Sequence, residues 1–381
     1  MPFVHIRAAS EADGLRRELA SADRIALDCE AAGFHRYSDR LCLLQVTTEA
    51  HTYILDALAF DPAETLRPVL ENPAIPVVMH GADYDLRLLD RDLGIRLRSL
   101  FDTQVAAALL GEQALGLQAL LESRLGVSLS KKYQRADWAE RPLTEGMLAY
   151  AADDTRHLLR LADLLASDLA AAGRLAWAAE ECQALEASAT AHTDGEPEDP
   201  VTRVKGARDL TPREVTALRE ALEWRDQLAR ERDRAPFRVV GDQPLVEAVL
   251  RRPLDERELA SIKGFPTGLA RGQGAELLRR FDRIAELPEG QLRPYPRSPR
   301  RGPGRATPEV EELAERLKSA RNRRAEDLGL DRGTLLPNAL VHAIATQRPA
   351  SLEALASVDG IRSWQVEVVG PVLLNVLTRP R

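Results

Sequence analysis

The chain has 381 residues, of which 44% are hydrophobic and 29% charged, and its formal net charge at pH 7 is −7. This length and composition predict two or three globular domains. No apolar run approaches the ~18 residues of a spanning helix, and the N-terminus lacks the pattern of a signal peptide, so we expect no membrane partner. Cys29, Cys42 and Cys182 form no CxxC pair, which favours a cytoplasmic location over a disulfide framework or a structural zinc site.

The negative charge is concentrated at the front of the chain. Residues 1–187 carry 19 basic and 29 acidic residues, 209–288 carry 15 of each, and 289–381 carry 15 basic and 11 acidic residues. Such a gradient fits a metal-dependent catalytic domain joined to nucleic-acid-binding modules. Ordinary variation of surface charge explains the same numbers, so charge alone leaves both interpretations open.

Two stretches break the periodic pattern and predict linkers at 188–208 and 289–306. They divide the chain into blocks 1–187, 209–288 and 307–381. The second linker is rich in proline and contains Arg293, Arg297, Arg300, Arg301 and Arg305. A soluble spacer is the simpler explanation of these arginines, and contact with RNA is the alternative.

The first block begins with four short runs of β-type residues. They are "RIALDCE", "LCLLQVTT", "HTYILDAL" and "IPVVMH", with turn signals between them. We expect the first three to form an antiparallel meander. From about residue 101 onward, helical periodicity dominates the block. The block is therefore predicted to be an α/β domain with a sheet flanked by helices.

Carboxylates recur at the ends of these elements. Asp28 and Glu30 lie at i and i+2 on the first run, so both side chains leave the same face of a strand. Asp85 lies near the start of a helix after "VVMHG", and Asp154 lies four residues after Tyr150 on a later helix. Carboxylates brought together from separate elements could hold two divalent cations, and hard oxygen ligands suit Mg²⁺ or Mn²⁺.

The two later blocks are helical and resemble each other. Residues 251–265 align with 347–361 at a constant offset of 96, with proline, leucine and glycine in matching positions. A single duplication of this length predicts two copies of a small all-α domain rather than a solenoid.

Together these motifs resemble ribonuclease D, of the DEDD exonuclease superfamily, in the subgroup with a tyrosine in its third motif. The first motif is Asp28-Cys29-Glu30, and the second places Asp85 five residues after His80. The third runs from Tyr150 to Asp154, with Asp153 where the family often has a small residue. The helical repeats resemble HRDC domains, although Ala320 stands in the second copy where the first has Trp224.

The resemblance implies an RNase H-like α/β exonuclease domain, with a mixed sheet flanked by helices, followed by two all-α HRDC-like domains. It implies 3′→5′ hydrolysis of RNA by two metal ions, with release of 5′-mononucleotides from tRNA precursors and other RNAs with single-stranded 3′ tails. Asp28, Glu30, Asp85 and Asp154 would hold the metals, and Tyr150 would position the attacking water. We expect a monomer.

Six further residues are candidates for contact with the substrate. Lys132, Gln134, Trp138 and Arg141 form a basic loop with an aromatic residue, which could grip a phosphate backbone and stack a base. A solvated connecting loop explains the same residues. Gln45 could touch the substrate or be a buried polar group, and His80 is expected to orient its neighbours by hydrogen bonding.

Two other functions stay open at this point. A DNA 3′→5′ exonuclease would need the same acids, because the choice of RNA depends on contacts to the 2′-hydroxyl group. A catalytically inactive scaffold that binds nucleic acid is the alternative outside the enzymes, and the presence of all four carboxylates and the tyrosine argues against it. The HRDC-like domains could bind RNA or pack against the catalytic domain.

Overall fold

The computed structural model describes residues 3–190, 199–296 and 307–378. They form two compact units. The first unit contains residues 3–30, 41–190 and 307–378, and the second contains residues 31–40 and 199–296. The second helical block, residues 307–378, thus packs with the first block of the chain, residues 1–187. Of the arginines in the second predicted linker, Arg297, Arg300, Arg301 and Arg305 lie outside the described residues.

The first unit contains a mixed β-sheet. Its strands are β1 (Phe3–Ile6), β2 (Ile25–Ala31), β3 (Leu41–Thr47), β4 (Thr52–Asp56), β5 (Val77–Met79) and β6 (Leu100–Asp102). They are ordered β1-β4-β3-β2-β5-β6 across the sheet. Strands β3 and β4 are antiparallel, whereas β1 is parallel to β4 and β5 is parallel to both β2 and β6. All residues of β3 and β4 are buried, as expected for strands covered on both faces.

Helices flank this sheet. They are α1 (Asp13–Leu19), α2 (Ala63–Leu70), α3 (Asp83–Leu93), α4 (Thr103–Leu109), α5 (Leu117–Leu125), α6 (Glu145–Arg156), α7 (Leu158–Ala171) and α8 (Leu175–Thr190). Helix α7 buries five of its six leucines, as its apolar periodicity predicts, and leaves Leu164 exposed. The mixed sheet with flanking helices confirms the predicted fold of this block.

In the described residues, the two later blocks contain helices and no strands. The first contains α9 (Pro212–Glu231), α10 (Pro236–Val239), α11 (Asp242–Arg251), α12 (Glu256–Ser261) and α13 (Thr267–Glu286). The second contains α14 (Pro308–Leu328), α15 (Arg332–Leu335), α16 (Asn338–Gln347), α17 (Leu352–Ala356) and α18 (Ser363–Thr378). Short 3-10 turns occur at Ala9–Glu11, Pro200–Arg203, Ala207–Asp209 and Glu289–Gln291.

The sequence repeat is also a backbone repeat. Arg252 and Arg348, which are 96 residues apart, both end a helix in the left-handed conformation, with φ of 50° and 49°. Gly264 and Gly360 show the same correspondence, each with φ of 84°. Non-glycine residues rarely adopt positive φ, so its recurrence at the same offset supports a duplicated domain.

The second helical block packs on α8 of the first block. The rings of Trp177 and Trp364 stack with centroids 4.7 Å apart, and Trp364 Nε1 donates a hydrogen bond of 2.9 Å to Glu181. Glu180 accepts hydrogen bonds from the backbone N–H groups of Ser363 and Trp364. The two blocks also share one hydrophobic cluster. This copy is therefore an integral part of the unit that carries the sheet.

No helix within the described ranges has the length and apolar character needed to cross a membrane. The three cysteines are buried as free thiols.

Candidate metal centre and active site

Strand β2 supplies the first two carboxylates. It lies between β3 and β5 in the sheet, and its even-numbered residues Asp28 and Glu30 share one face. Both are only partly exposed, whereas Cys29 between them is buried on the opposite face. An interior strand thus fixes the two carboxylates on a rigid element.

Helix α6 supplies Tyr150 and Asp154. The helix begins after Thr144, whose hydroxyl accepts a hydrogen bond of 3.2 Å from the backbone N–H of Met147. Near its other end, the hydroxyls of Thr155 and Thr47 lie 2.8 Å apart in a buried hydrogen bond that joins α6 to β3. The helix is therefore anchored to the sheet one residue from Asp154.

Asp85 lies in the first turn of α3. The turn before this helix is held by Asp102, whose carboxylate accepts hydrogen bonds from the backbone N–H groups of Gly81 (3.0 Å) and Ala82 (2.8 Å). Asp102 also caps α4 by accepting from Gln104. One buried carboxylate thus connects the end of β6 to the turn that places Asp85.

The four predicted carboxylates come together. Asp28, Glu30 and Asp154 each offer an oxygen atom, and these atoms lie within 4.8 Å of one another. Asp85 is 8% exposed, and burial followed by the charge of Asp28 raises its pKa well above the usual value. Residues 28, 30, 85 and 154 are thus assembled from a strand and two helices.

Burial and mutual repulsion make this cluster costly without a cation. Burial raises the pKa of Asp28 to about 7 and that of Asp154 to about 8. The pKa of Glu30 is also raised, first by burial and then by the charges of Asp28, Asp154 and Asp85. Carboxylates that oppose one another's ionisation are stabilised by a shared cation, and an all-oxygen donor set suits a hard divalent ion. The cluster therefore fits a divalent metal centre.

Two aromatic residues surround the ring of Tyr150. The Tyr133 ring lies 6.2 Å away in an edge-on arrangement, and the Trp138 ring lies 6.1 Å away on a tilted plane. Burial raises the pKa of Tyr150 above its ordinary value, and the charges of Asp154 and Glu30 raise it further. The phenol therefore stays protonated at neutral pH beside the carboxylates.

An ion pair fastens the loop that carries these aromatics. Arg141 donates to both carboxylate oxygens of Asp56, at 2.8 and 2.7 Å, and to the backbone oxygen of Trp138 at 2.7 Å. Asp56 is 3% exposed at the end of β4. The sequence did not identify Asp56, Asp102 or Tyr133 as contributors, and only their positions beside recognised motifs could have suggested them.

The six residues predicted to contact the substrate fall into two groups, of which the first is buried or ion-paired. Gln45 is 0% exposed, and neither atom of its amide has a hydrogen-bond partner among the described residues. Trp138 is 2% exposed and packs on Tyr150. The side chains of Gln45 and Trp138 therefore offer almost no surface to a substrate. Arg141 is engaged by Asp56. The burial of Gln45 and Trp138 and the ion pair of Arg141 argue against direct contact of these three side chains with RNA, and the contact itself stays a prediction.

The other three predicted contacts remain consistent with their expected roles. Lys132 and Gln134 are exposed, and the Lys132 ammonium lies 5.1 Å from the centre of the Tyr133 ring. His80 Nδ1 lies 2.9 Å from the hydroxyl of Thr103, which in turn donates to the backbone oxygen of Met79. His80 thus holds the end of β5, and burial lowers its pKa.

Comparison with family models divides the chain into two kinds of domain. Residues 3–170 match a family described as 3′-5′ exonuclease, and residues 215–280 and 310–377 match the HRDC domain. The two HRDC matches fall in the two predicted helical blocks.

Individual relatives match most of the chain. Ribonuclease D of Pseudomonas paraeruginosa is 30% identical over 363 residues, which is 95% of this chain and 94% of the relative. Exosome complex exonuclease RRP6 of Saccharomyces cerevisiae is 32% identical over 296 residues, 74% of this chain but 40% of that protein. The crystal structure of Escherichia coli RNase D, at 26% identity, superposes with a TM-score of 0.71 and covers 99% of both chains. The chain therefore belongs to the ribonuclease D family.

Proposed function

We propose that the protein hydrolyses RNA from the 3′ end, one nucleotide at a time, and releases 5′-mononucleotides. The observation that carries this proposal is the convergence of Asp28, Glu30, Asp85 and Asp154 beside Tyr150. RNA as the substrate is supported by the ribonuclease D relatives and by the Escherichia coli protein, which is described as an exoribonuclease involved in structured RNA processing.

The same proposal assigns two divalent cations, Mg²⁺ or Mn²⁺, to the four carboxylates. Two ions match the ligand supply, because four carboxylates from three elements offer up to eight oxygen atoms. When bound, such ions supply positive charge that stabilises the phosphate oxygens during displacement. The contribution of the chain is a rigid oxygen-ligand set, fixed by β2, the first turn of α3 and the anchored helix α6.

Tyr150 has a positioning role in this proposal. Its hydroxyl stays protonated at neutral pH, so it can donate a hydrogen bond to a water molecule or to a phosphate oxygen. Trp138 and Tyr133 limit the rotation of its ring, which keeps the hydroxyl directed beside Asp154. A preorganised donor of this kind lowers the reorganisation needed in the transition state.

We further propose that Lys132 and Gln134 contact the RNA near the active site, because both are exposed on the loop that carries Tyr133. The substrates would be tRNA precursors and small RNAs with single-stranded 3′ tails, and the protein would act as a monomer in the cytoplasm. The buried free thiols support a reducing compartment. We also propose that the exonuclease domain comprises residues 1–187 and that the two HRDC-like domains comprise residues 209–288 and 307–381.

A gel assay with matched RNA and DNA tests the substrate class. A 5′-labelled single-stranded RNA and the DNA of the same sequence would each be incubated with Mn²⁺, Mg²⁺ or a chelator. The proposal predicts a ladder that shortens from the 3′ end on RNA and disappears with the chelator. A faster ladder on DNA would indicate a DNA exonuclease instead. Binding of both nucleic acids without cleavage would indicate an inactive scaffold.

A further inference from the structure

An exposed aromatic pair lies in the second unit. It is formed by Phe34, in the loop that follows β2, and Phe237, in α10 of the first helical block. Their ring centroids are 5.6 Å apart with the planes tilted by 53°, and the residues are 41% and 52% exposed. Large aromatic side chains are usually buried in a protein core. Two exposed rings that touch each other therefore suggest a binding surface.

A guanidinium group extends this surface. Arg238 places its Cζ atom 4.7 Å from the centre of the Phe34 ring and 5.9 Å from that of Phe237. Its Nε donates a hydrogen bond of 2.7 Å to the backbone oxygen of Phe34, which fixes the plane of the guanidinium. Rings and guanidinium planes are the two kinds of side-chain surface on which nucleic-acid bases stack.

The loop that carries Phe34 is held in place by the first helical block. The backbone N–H of Ala235 donates to the backbone oxygen of His35 at 3.0 Å. Tyr37 donates its hydroxyl hydrogen to Asp226 at 3.0 Å, and that hydroxyl accepts from Arg230, also at 3.0 Å. A surface held by several hydrogen bonds is already ordered before a ligand arrives, which reduces the entropic cost of binding.

The charge around the aromatic pair is opposite to that of the whole chain. Residues 31–40 and 230–240 together contain six arginines and three acidic residues, whereas the chain has a net charge of −7. A local excess of arginine beside exposed rings is the combination that attracts a phosphate backbone and stacks its bases. A basic or purely apolar partner would not need this composition, and the exposed rings beside the arginines favour a nucleic acid, whose bases can stack on them.

The position of Phe34 in the chain links the surface to the proposed active site. Phe34 follows the carboxylate residue Glu30 by four positions, so their Cα atoms are at most ~14 Å apart in any conformation. A nucleic acid bound at Glu30 therefore has a base-stacking surface within a few nucleotides.

We propose that Phe34, Phe237 and Arg238 form a stacking platform for a base of the single-stranded RNA substrate, near its 3′ end. This inference rests on the proposed ribonuclease function, because it assumes an RNA strand at the carboxylates. It gives the first HRDC-like domain a direct role: the domain supplies Phe237 and Arg238 and holds the loop with Phe34.

Binding measurements on the full-length Asp28→Asn protein test the platform without cleavage of the probe. The probe is a 5′-fluorescein-labelled oligoadenylate, and the variants are Phe237→Leu, Phe237→Trp and Phe34→Leu in the Asp28→Asn background. Leucine keeps an apolar side chain but removes the aromatic face, whereas tryptophan keeps that face. We expect each leucine variant to raise the Kd at least about fivefold, and Phe237→Trp to bind as tightly as the parent or more tightly.

A second readout locates the stacked base. 2-Aminopurine placed at successive positions from the 3′ end loses fluorescence when it is stacked. We expect one position near the 3′ end to be quenched in the parent protein and to regain fluorescence in Phe237→Leu. Leu254→Ala is the matched control, since Leu254 is an apolar side chain of the same unit with 87% exposure. Melting temperatures close to that of the parent would show that the variants are folded.

The outcomes separate the two proposals. Equal Kd values for the parent and both leucine variants would overturn the platform, even if the wild-type enzyme degrades RNA. Weaker binding in both leucine variants together with a wild-type enzyme that cleaves no RNA would support the platform and overturn the ribonuclease function. An equal loss in Phe237→Trp and Phe237→Leu would overturn base stacking, because it would show that only the native packing matters.

Discussion

The ring centre of Trp138 lies 6.1 Å from that of Tyr150, and only 2% of the Trp138 residue is exposed to solvent. The sequence left open whether this tryptophan stacks on a substrate base, and in the structure its ring packs against the side chain of the proposed catalytic tyrosine. We therefore expect its contribution to catalysis to be indirect, through a limit on the positions that the Tyr150 hydroxyl can adopt.

A double-mutant comparison tests this support. We expect Trp138→Phe, which leaves the Tyr150 ring less constrained, to lower kcat about tenfold with little change in KM, because a loss of about 1.4 kcal/mol of transition-state positioning has that effect. In a Tyr150→Phe background, the same substitution should have little further effect. Equal losses of kcat in both backgrounds would mean that Trp138 does not act through Tyr150.

The ion pair between Arg141 and Asp56 should contribute to stability. Arg141→Met keeps the apolar stem but leaves the Asp56 carboxylate buried without its cation. We expect a loss of about 2–3 kcal/mol in the free energy of unfolding, below the ~3–5 kcal/mol of a fully buried pair, because the Arg141 side chain is 28% exposed. Urea unfolding measures this difference.

Arg16→Met is the control for this experiment. Arg16 pairs with Asp13 on the surface, where the two side chains are 42% and 71% exposed. Its removal should change the free energy of unfolding by less than about 1 kcal/mol. Similar losses in the two variants would contradict a structural role of the Arg141–Asp56 pair.

The raised carboxylate pKa values predict a pH-dependent stability of the metal-free protein. Asp28 and Asp154 have pKa values of about 7 and 8 when folded, against about 3.9 when unfolded. At pH values between about 3.9 and 8, the folded state binds more protons at these two carboxyl groups than the unfolded state does. The two groups therefore lower the free energy of unfolding progressively as the pH rises towards 8. Asp154→Asn should therefore stabilise the metal-free protein at pH 8 and should do so less at pH 5.5.

Urea unfolding in chelator at pH 5.5, 7 and 8 checks this prediction. Comparison of wild type with Asp154→Asn removes the contributions of histidines, which titrate in both proteins. Saturating Mn²⁺ should reverse the order at pH 8, because the cation stabilises the charged wild-type cluster. A metal-free wild type that is more stable than Asp154→Asn at pH 8 would contradict the electrostatic description of the site.

The packing of the second helical block can be tested at one glycine. Gly111 has φ of 84°, and a Cβ atom there would lie 2.0 Å from the backbone oxygen of Gly329, in the second helical block. Gly126 also has positive φ, 66°, but has nothing within 4 Å of the same position. We expect Gly126→Ala to cost about 1–2 kcal/mol from backbone strain alone, and Gly111→Ala to cost clearly more. Equal melting temperatures of the two variants would argue against close packing at Gly329.

Local patterns in the sequence predicted much of the fold and the acidic site. The i, i+2 spacing of Asp28 and Glu30 and the i, i+4 spacing of Tyr150 and Asp154 are properties of single elements, so they can be read without a structure. The helical repeat was also predictable from the sequence, because its offset of 96 residues is constant.

Contacts between distant residues were not predictable in this way. Arg141 was a candidate RNA contact because it lies in a basic loop around Trp138. Its ion pair with Asp56 was not predictable, because Asp56 lies 85 residues away and no local pattern connects the two. The strands β1 and β6 have four and three residues, too few for a period-two pattern to be distinguished. The contact between Phe34 and Phe237 was not predictable from local patterns, because it joins segments that are 203 residues apart.

A comparison of two neighbouring aspartates tests the central claim most directly. Asp154 belongs to the carboxylate cluster, whereas Asp153 forms an ion pair of 2.5 Å with Arg156. Asp154→Asn and Asp153→Asn remove the same charge one residue apart on the same helix. Each variant would be assayed with 5′-labelled single-stranded RNA and Mn²⁺ under single-turnover conditions. We predict that Asp154→Asn loses 3′→5′ shortening by at least about 1,000-fold, as removal of a metal ligand should, while Asp153→Asn stays within about threefold of wild type. Undiminished shortening by Asp154→Asn would contradict the assignment of this cluster as the active site.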